Sequence, residues 1–516
     1  MARTVTSQPT SWIRLVTRFR RGGHPLLPAS PASPSMTVAY IHIAPPFGME
    51  TIAIGVTPVT TYREPTSPQQ LYPLVSEMAE NTRTPIGRIV AASLVGTTIE
   101  WYDFFLYGSA AALVFPALFF PSSDPLTGTL LALLTYAVGF VARPVGALVF
   151  GHFGDRLGRK KLLVLSLLMM GGATFLIGCL PTHAAVGALA PLLLTLLRLV
   201  QGFALGGEWG GAVLIVSEHG DAKRRGFWAS WPQAGVPSGN VLATAVLAIL
   251  AAVQTDEAFT SWGWRIPFLL SGVLVLIGLW VRLSIDESPI FQQALANSKP
   301  SQSMPIVDVF RYHWRDVLIA IGARFGENVS YYVITAFVLV YATTAAGLSR
   351  SLVLNAVLIA SIVHFVTIPM WGALSDKLGR RPVYLLGAAG VGLWAFAFFP
   401  LIDTKNFAAV TLAVTVGLIL HGAMYGPQAA YFSELFATRM RYSGVSIGSQ
   451  LASIVAGALA PLIAVALLDA YDSAFPVMLY MAGAAAITLI TVYVSRETKD
   501  RDLATLGTPE EVSTTR

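Results

Sequence analysis

Beyond residue 88 the chain carries apolar stretches of roughly 20 residues, separated by short polar connections. A hydrocarbon core about 30 Å thick demands that length of a helix, and a backbone surrounded by lipid can pair its polar groups only in helices or closed barrels. About twelve such stretches follow one another, over residues 90–114, 129–150, 162–180, 189–216, 228–253, 266–283, 317–341, 352–371, 383–401, 410–432, 445–468 and 475–494. Composition points the same way: 54% hydrophobic and 12% charged residues, with a mean hydropathy of +0.63, exclude an ordinary soluble domain of this size. The expectation is an all-α membrane protein.

Lys and Arg sit in alternate loops. One set holds Arg156, Arg159, Lys160 and Lys161, then Lys223 to Arg225, then Lys377, Arg380 and Arg381, then Arg439 and Arg441; the other holds little beyond Arg265, Arg350 and Lys405. Positive loops stay cytoplasmic, so an even number of spans with both termini inside is expected, in a cell inner membrane. The net charge of +6 then reflects orientation and not nucleic-acid binding. Cys179 is the only cysteine, which excludes an internal disulfide or a Cys-based metal site.

Residues 1–77 differ in kind. They are rich in Pro, Ser and Thr, with Arg14, Arg18, Arg20 and Arg21 clustered. Such a start fits an organelle transit peptide, and it also arises when a coding region is read from a start placed too far upstream; the polar leader at 78–88 favours the second. The expected organisation is a disordered extension (1–77), an N-terminal six-helix bundle (78–285), a cytoplasmic linker with Pro289, Pro300 and Pro305 (286–315), a C-terminal six-helix bundle (316–495) and a short charged, disordered cytoplasmic tail (496–516).

The two halves repeat. Gly151, Asp155, Gly158, Arg159 and Lys160 recur with the same spacing as Gly372, Asp376, Gly379, Arg380 and Arg381, each set between the second and third spans of its half. Ser217, Glu218 and Arg225 recur as Ser433, Glu434 and Arg441, and Gln233 recurs as Gln450, all at offsets of about 220 residues. Duplicated halves that rock about a central site are a common transporter plan.

The loop G-H-F-G-D-R-L-G-R-K-K at 151–161 resembles the signature of the major facilitator superfamily. Within that superfamily, G-T-T-I-E-W-Y-D-F-F-L-Y-G at 96–108, R-L-V-Q-G-F-A-L-G-G-E-W-G-G at 198–211 and D-E-S-P-I-F at 286–291 resemble the metabolite:proton symporter family, which includes shikimate, dicarboxylate and betaine carriers. That family often has Asn where Thr97 stands. The resemblance covers nearly everything after Met78 and implies a twelve-helix fold with two six-helix bundles around a central cavity.

Physical argument assigns roles to the repeated charges. Asp155 at a helix end can accept hydrogen bonds from a neighbouring helix N-terminus, while Arg159 and Lys160 anchor at anionic lipid. The expected cytoplasmic gate comprises Gly151, Asp155, Gly158, Arg159, Lys160, Glu218 and Arg225 with Asp376, Gly379, Arg380, Glu434 and Arg441. A tight turn with topogenic charges explains the Arg and Lys but not the paired Gly and Asp.

Ionisable residues inside spans cost about 2.5–3.5 kcal/mol each on insertion scales and should face a cavity. Glu100, Asp103 and Tyr107 share one face of the first span; Arg324, Glu327 and Tyr331 repeat that spacing in the seventh. Arg143 lies inside the second span, and Arg198, Gln201 and Glu208 form a stripe along the fourth. Guanidinium binds carboxylate through two hydrogen bonds, so Arg143 and Arg324 are the substrate-binding candidates, with Tyr107, Tyr331, Gln233, Asn240 and Gln428. Glu100, Asp103, Glu208 and Glu327 are the proton-coupling candidates. The bland alternative is a set of structural ion pairs. His364 and His421 are intramembrane too, but a lone His is more often hydrogen-bonded structure than a relay, and the acids rank above them.

These readings converge on proton-coupled import of a small organic acid, such as a shikimate-like compound or a dicarboxylate, by a protein working as a monomer. The alternatives are a proton-driven exporter on the same fold and a solute sensor that moves nothing. No Walker-type sequence and no nucleophile, base or metal-ligand constellation appears, so neither ATP, cofactor, metal nor enzymatic activity is expected, and the proton gradient is the energy source.

Overall fold

The computed structural model describes residues 39–43, 50–54, 85–121, 125–157, 159–283, 305–437 and 440–503. Residues 1–83 and 84–516 form separate compact units. In the first, β1 (Ala39–Ile43) pairs antiparallel with β2 (Glu50–Ile54), Ala39 facing Ile54 and Ile43 facing Glu50. Both strands alternate Ile with other residues, the two-residue period of a pleated strand. The expectation of a wholly disordered 1–77 is corrected over these ten positions, and the rest of that stretch lies outside the described residues.

The second unit is a helical bundle. Its spanning helices are α1 (Ile86–Leu113), α2 (Pro125–Leu157), α3 (Arg159–Cys179), α4 (Leu189–His219), α5 (Arg225–Val253), α6 (Arg265–Leu283), α7 (Trp314–Tyr332), α8 (Arg350–Leu378), α9 (Arg380–Asp403), α10 (Phe407–Leu435), α11 (Arg441–Ala452) and α12 (Phe475–Val494). Helix α7 continues through a π-helical turn (Val333–Phe337) into Val338–Thr344, and α11 through another (Ser453–Ala458) into Ala460–Tyr471. Ten helices among the described residues are long and apolar enough to cross a membrane on that criterion alone. The remaining two spanning helices carry polar residues along their length, Gln233, Ser238 and Asn240 in α5 and Arg324, Glu327, Asn328 and Ser330 in α7. Polar residues at membrane depth are tolerated where they face protein or a cavity and not lipid.

In the first half α1 packs on α5, α2 on α4, and α3 on α4 and α6. In the second, α8 and α9 pack on α10, and α12 on α7 and α9. The halves meet where α5 lies against α8 and α2 against α11, the fifth helix of each half against the second of the other. That reciprocity is a pseudo-twofold axis. Apolar side chains such as Leu134, Val141, Trp280, Leu393 and Ile490 point outward, where lipid replaces water. Because lipid is as apolar as these side chains, close packing supplies the cohesion between helices. At the α5–α8 contact a Cβ on Gly226 would lie 2.5 Å from the Gly372 carbonyl oxygen, so only glycine allows that approach.

The linker expected at 286–315 contains a helix, Pro305–Tyr312, and α7 begins directly after it at Trp314. Residues 284–304 lie outside the described residues. The tail is not free over its first part: residues 496–503 pack against the Lys- and Arg-rich ends of the helices, and Leu503 is fully buried.

Candidate functional site

A small cavity lies between the halves. Thr97, Glu100 and Trp101 of α1, Arg143 of α2, and Leu205 and Trp209 of α4 line one side; Arg324, Asn328 and Tyr332 of α7, Gln450 of α11 and Ser453 of its π-helical turn line the other. A π-turn widens the helix locally and reorients the side chains beside it, which here falls next to Tyr332 on α7 and at Ser453 itself. Of the predicted substrate-binding residues, Arg143 and Arg324 reach this cavity.

The Arg143 guanidinium stacks 3.9 Å from the Phe140 ring centroid and 4.7 Å from that of Phe104. No carboxylate among the described residues pairs with it, and its Nε has no hydrogen-bond partner. Arg324 lies 4.7 Å over Trp209, donates to Gln428 Oε1 at 2.8 Å and reaches Glu327 only at 3.9 Å. Both cations are buried, which costs free energy unless a partner compensates. Two under-compensated guanidiniums therefore border one cavity.

The first half holds a tight cluster. Arg282 of α6 donates to Glu100 at 2.7 Å and forms a close ion pair with Glu208; Ser166 Oγ donates to Glu208, and Arg282 also donates to the Leu163 carbonyl. Two carboxylates share one guanidinium, so with both ionised the cluster keeps one uncompensated negative charge that a proton would cancel. Sequence reasoning missed Arg282. It stands next to the last residue of its span, where a cation reads as a helix-end anchor, and only the tertiary fold turns it inward. Asp103 accepts from Ser271 Oγ, apart from that cluster. Arg198 packs 4.3 Å over Tyr107 and donates to Gln201 at 3.1 Å.

The second half is built otherwise. Glu327 Oε1 contacts His421 Nε2 at 3.0 Å, and Oε2 accepts from Gln428 Nε2 at 3.2 Å and Asn328 Nδ2 at 3.3 Å. His421 Nδ1 in turn contacts His364 Nε2 at 3.0 Å. The two histidines are a bonded pair and not isolated residues. Helices α8 and α10 pack together, and no local signal reveals that residues 57 positions apart meet there. Tyr331 packs against His421 at a tilt, with ring centroids 5.2 Å apart.

Several candidates lie elsewhere than expected. Tyr107 hydrogen-bonds Thr135 at 2.7 Å in the core of the first half. Gln233 accepts from Trp209 Nε1 and donates to the Tyr425 carbonyl at 3.2 Å, tying α4 to α10 across the halves. Gln428 bonds Glu327 and Tyr331 packs against His421, both outside the cavity lining, and Asn240 is a half-buried residue of α5 also outside it.

At the Lys- and Arg-rich end the repeated charges join the halves. Glu218 of α4 pairs with Arg441 of α11 at 2.7 Å, and Arg225 of α5 pairs with Glu434 of α10 at 2.8 Å. Glu218 and Glu434 are repeat equivalents, as are Arg225 and Arg441, so one bridge occurs twice about the pseudo-twofold. Asp376 accepts from the backbone N–H of Gly226 at 2.7 Å and of Phe227 at 2.8 Å, the contact to a helix N-terminus argued for its equivalent Asp155. Arg380 reaches both Asp376 at 2.6 Å and Glu434 at 3.1 Å. Gly379 sits at φ +104°, which glycine alone adopts readily, and this lets the chain turn between α8 and α9. Lys160 donates to the Leu283 carbonyl at 3.0 Å. Gly158 and the side chains of Asp155 and Arg159 lie outside the described residues; Gly151 is buried at the matching end of α2.

The tail crosses this network. Thr498 Oγ1 donates to Glu434 at 2.7 Å, Arg225 donates to the Arg501 carbonyl at 3.1 Å, and Arg441 donates to the Leu503 carbonyl at 3.0 Å. Glu497 accepts from the backbone N–H of Arg380 at 2.9 Å and of Arg381 at 3.0 Å. Burial pushes the Glu497 carboxyl up, but the backbone donors of Lys499, Arg380, Arg381 and Thr498 outweigh it and hold the group below the ordinary carboxylate value.

Comparison with known proteins places this geometry. The sequence model described as Major Facilitator Superfamily matches residues 93–461 and 366–513. The chain is 42% identical over 432 residues to the inner membrane metabolite transport protein YhjE of Escherichia coli (strain K12), covering 82% of this chain and 98% of that one. It is 41% identical over 415 residues to the shikimate transporter of the same strain, covering 80% and 95%. Among solved structures, the proton:xylose symporter XylE bound to 6-bromo-6-deoxy-D-glucose superposes with a TM-score of 0.66 at 16% identity, over 81% of this chain and 98% of that one, a likeness of fold.

Proposed function

The chain belongs to the Major Facilitator Superfamily and is a membrane transporter, and we propose that it imports a small organic acid together with protons by alternating access. The observation that carries this reading is the cavity between the halves bordered by Arg143, which has no carboxylate partner among the described residues, and Arg324, which has only a long one. A solute carboxylate can take two hydrogen bonds from a guanidinium and offset its burial. Asn328, Tyr332 and Gln450 supply further polar contacts. A shikimate-like compound or a dicarboxylate fits this chemistry, in keeping with the relative named a shikimate transporter.

Arg324 links solute to proton. A solute carboxylate that takes up Arg324 competes with Glu327 for its nearest cation. Glu100 and Glu208, sharing Arg282, are the second place where a proton can reside. Positive loops stay cytoplasmic, so the closed end is read as the cytoplasmic gate in an inner membrane, with both termini inside. Release inward then requires the Glu218–Arg441 and Arg225–Glu434 bridges to part.

The test is uptake of labelled shikimate, dicarboxylates and betaine into proteoliposomes under an inward proton gradient, with an uncoupler control. Gradient-dependent accumulation of an acid is expected, lost by at least about tenfold in Arg143→Ala and Arg324→Ala, since one lost charged hydrogen bond costs about 1.5–3 kcal/mol. Outward movement of lipophilic cations against protons, with no acid entering, overturns the importer reading.

A further inference from the structure

Glu327, bonded to the cavity-lining Asn328, forms with His421 and His364 an unbroken line of hydrogen-bonding atoms running into the α8–α10 contact. The steps are Glu327 Oε1 to His421 Nε2 at 3.0 Å and His421 Nδ1 to His364 Nε2 at 3.0 Å. His364 Nδ1 is buried without a hydrogen-bond partner. One imidazole would suffice to orient the carboxylate. A second, with an unpartnered ring nitrogen at 1% exposure, is a cost that packing does not explain.

The tautomers follow from the bonds. If Glu327 is ionised, His421 Nε2–H donates to it; His421 Nδ1 then accepts from His364 Nε2–H, and His364 Nδ1 is left as a bare acceptor. The one pattern that satisfies both contacts places a proton acceptor at the far end of the line. The groups facing His421 are Glu327 and Tyr331 from α7, His364 from α8 and Tyr425 from α10, with Arg324 of α7 and Tyr384 of α9 reaching Glu327 and Gln428. From α5, Gln233 bonds Trp209 Nε1 and the Tyr425 carbonyl, and from α4, Trp209 lies under Arg324. Tyr331 and Tyr425, with centroids 5.2 and 5.3 Å from that of His421, flank the line.

We propose that His421 and His364 are a proton relay that loads and unloads Glu327 by a path separate from the solute. A proton arriving at His364 Nδ1 releases the one on Nε2 to His421 Nδ1; His421 then releases its Nε2 proton to Glu327 Oε1. The carboxyl ends neutral, and both imidazoles end neutral with their proton on the opposite nitrogen. Return to the starting tautomers requires the ring protons to exchange back once Glu327 has discharged. The relay rests on the proton-coupled reading above.

His421→Gln and His364→Gln test it, because glutamine keeps a hydrogen bond but cannot take a proton at one atom and pass it from another. In proteoliposomes loaded with shikimate, gradient-driven accumulation should fall about tenfold or more in each variant, the scale of a lost proton-transfer group. Counterflow exchange of labelled for unlabelled shikimate at equal pH, which needs no net proton transfer, should persist and shows that the variants fold. Accumulation at the wild-type rate, or loss of both activities together, overturns the relay. A second arm needs no solute: after a pH jump, the infrared band of protonated Glu327, identified by its loss in Glu327→Gln, should rise about tenfold more slowly in either variant. An unchanged rate overturns the relay. If the wild type moves no solute at all, the transport reading fails, and the infrared arm still decides this proposal.

Discussion

The two halves place charge at the same helix positions and make different chemistry from it. In the first, Glu100 and Glu208 close on Arg282 with short bonds from α1, α4 and α6. In the second, Glu327 holds Arg324 only at 3.9 Å and spends its remaining bonds on amides and an imidazole. The first cluster engages its cation fully and ties α1, α4 and α6 together besides offering a second place for a proton. A carboxylate whose cation is shared with a cavity can gain and lose a proton as the cavity fills. The repeated backbone therefore supplies symmetric positions, and side chains divide the labour. The ends of the helices behave differently, because there the Glu218–Arg441 and Arg225–Glu434 bridges preserve the symmetry.

The sharpest break between the halves should come from removing one cation or one acid. Arg282→Ala leaves two buried carboxylates without a counter-charge and should cost about 3–5 kcal/mol, read as a loss of thermal stability in detergent. Glu327→Gln keeps the side chain's shape and one acceptor oxygen but cannot titrate, so it should unfold near the wild-type temperature while losing gradient-driven uptake. Equal destabilisation by the two would erase the proposed division.

At the closed end the opposite outcome is expected. Arg225→Ala and Arg441→Ala each delete one copy of the same bridge and should raise hydrogen exchange at the starts of α5 and α11 to a similar degree, about 1–3 kcal/mol each. An effect confined to one of them would show that the pseudo-twofold does not govern the gate.

The smallest effect belongs to the tail. Glu497 has a carboxyl lowered below its ordinary value of about 4.5, so its contribution is present above that value and is lost as pH falls through the lowered one. Tail residues 496–503 should be protected from exchange at pH 7 and lose protection in acid, by about 1 kcal/mol, and Glu497→Gln should remove that pH dependence. Protection that stays constant into acid would separate the tail from the gate.

Much of this architecture was legible in advance. Hydropathy placed every helix end to within seven residues, because lipid forces each span to bond within itself. The repeat marked Glu218, Arg225, Asp376, Glu434 and Arg441 as one set, since duplicated spacing survives in the chain whatever the fold. Arg143 and Arg324 stood out because guanidinium inside a span is costly. Tyr107 and Asn240 were misplaced because sharing a helix face with an acid, or lying at membrane depth, does not say which neighbouring helix that face meets.

What the sequence by itself determined was therefore the spans, their duplication and the residues whose burial would need a reason. The tertiary structure alone decided the partners. Arg282 finds Glu100 across 182 positions and His421 finds His364 across 57, while the tail turns back to bond Glu434. The physical reason is that a helix satisfies its own backbone locally, whereas the bonds of a buried side chain are satisfied only by whatever a distant helix presents at the same depth.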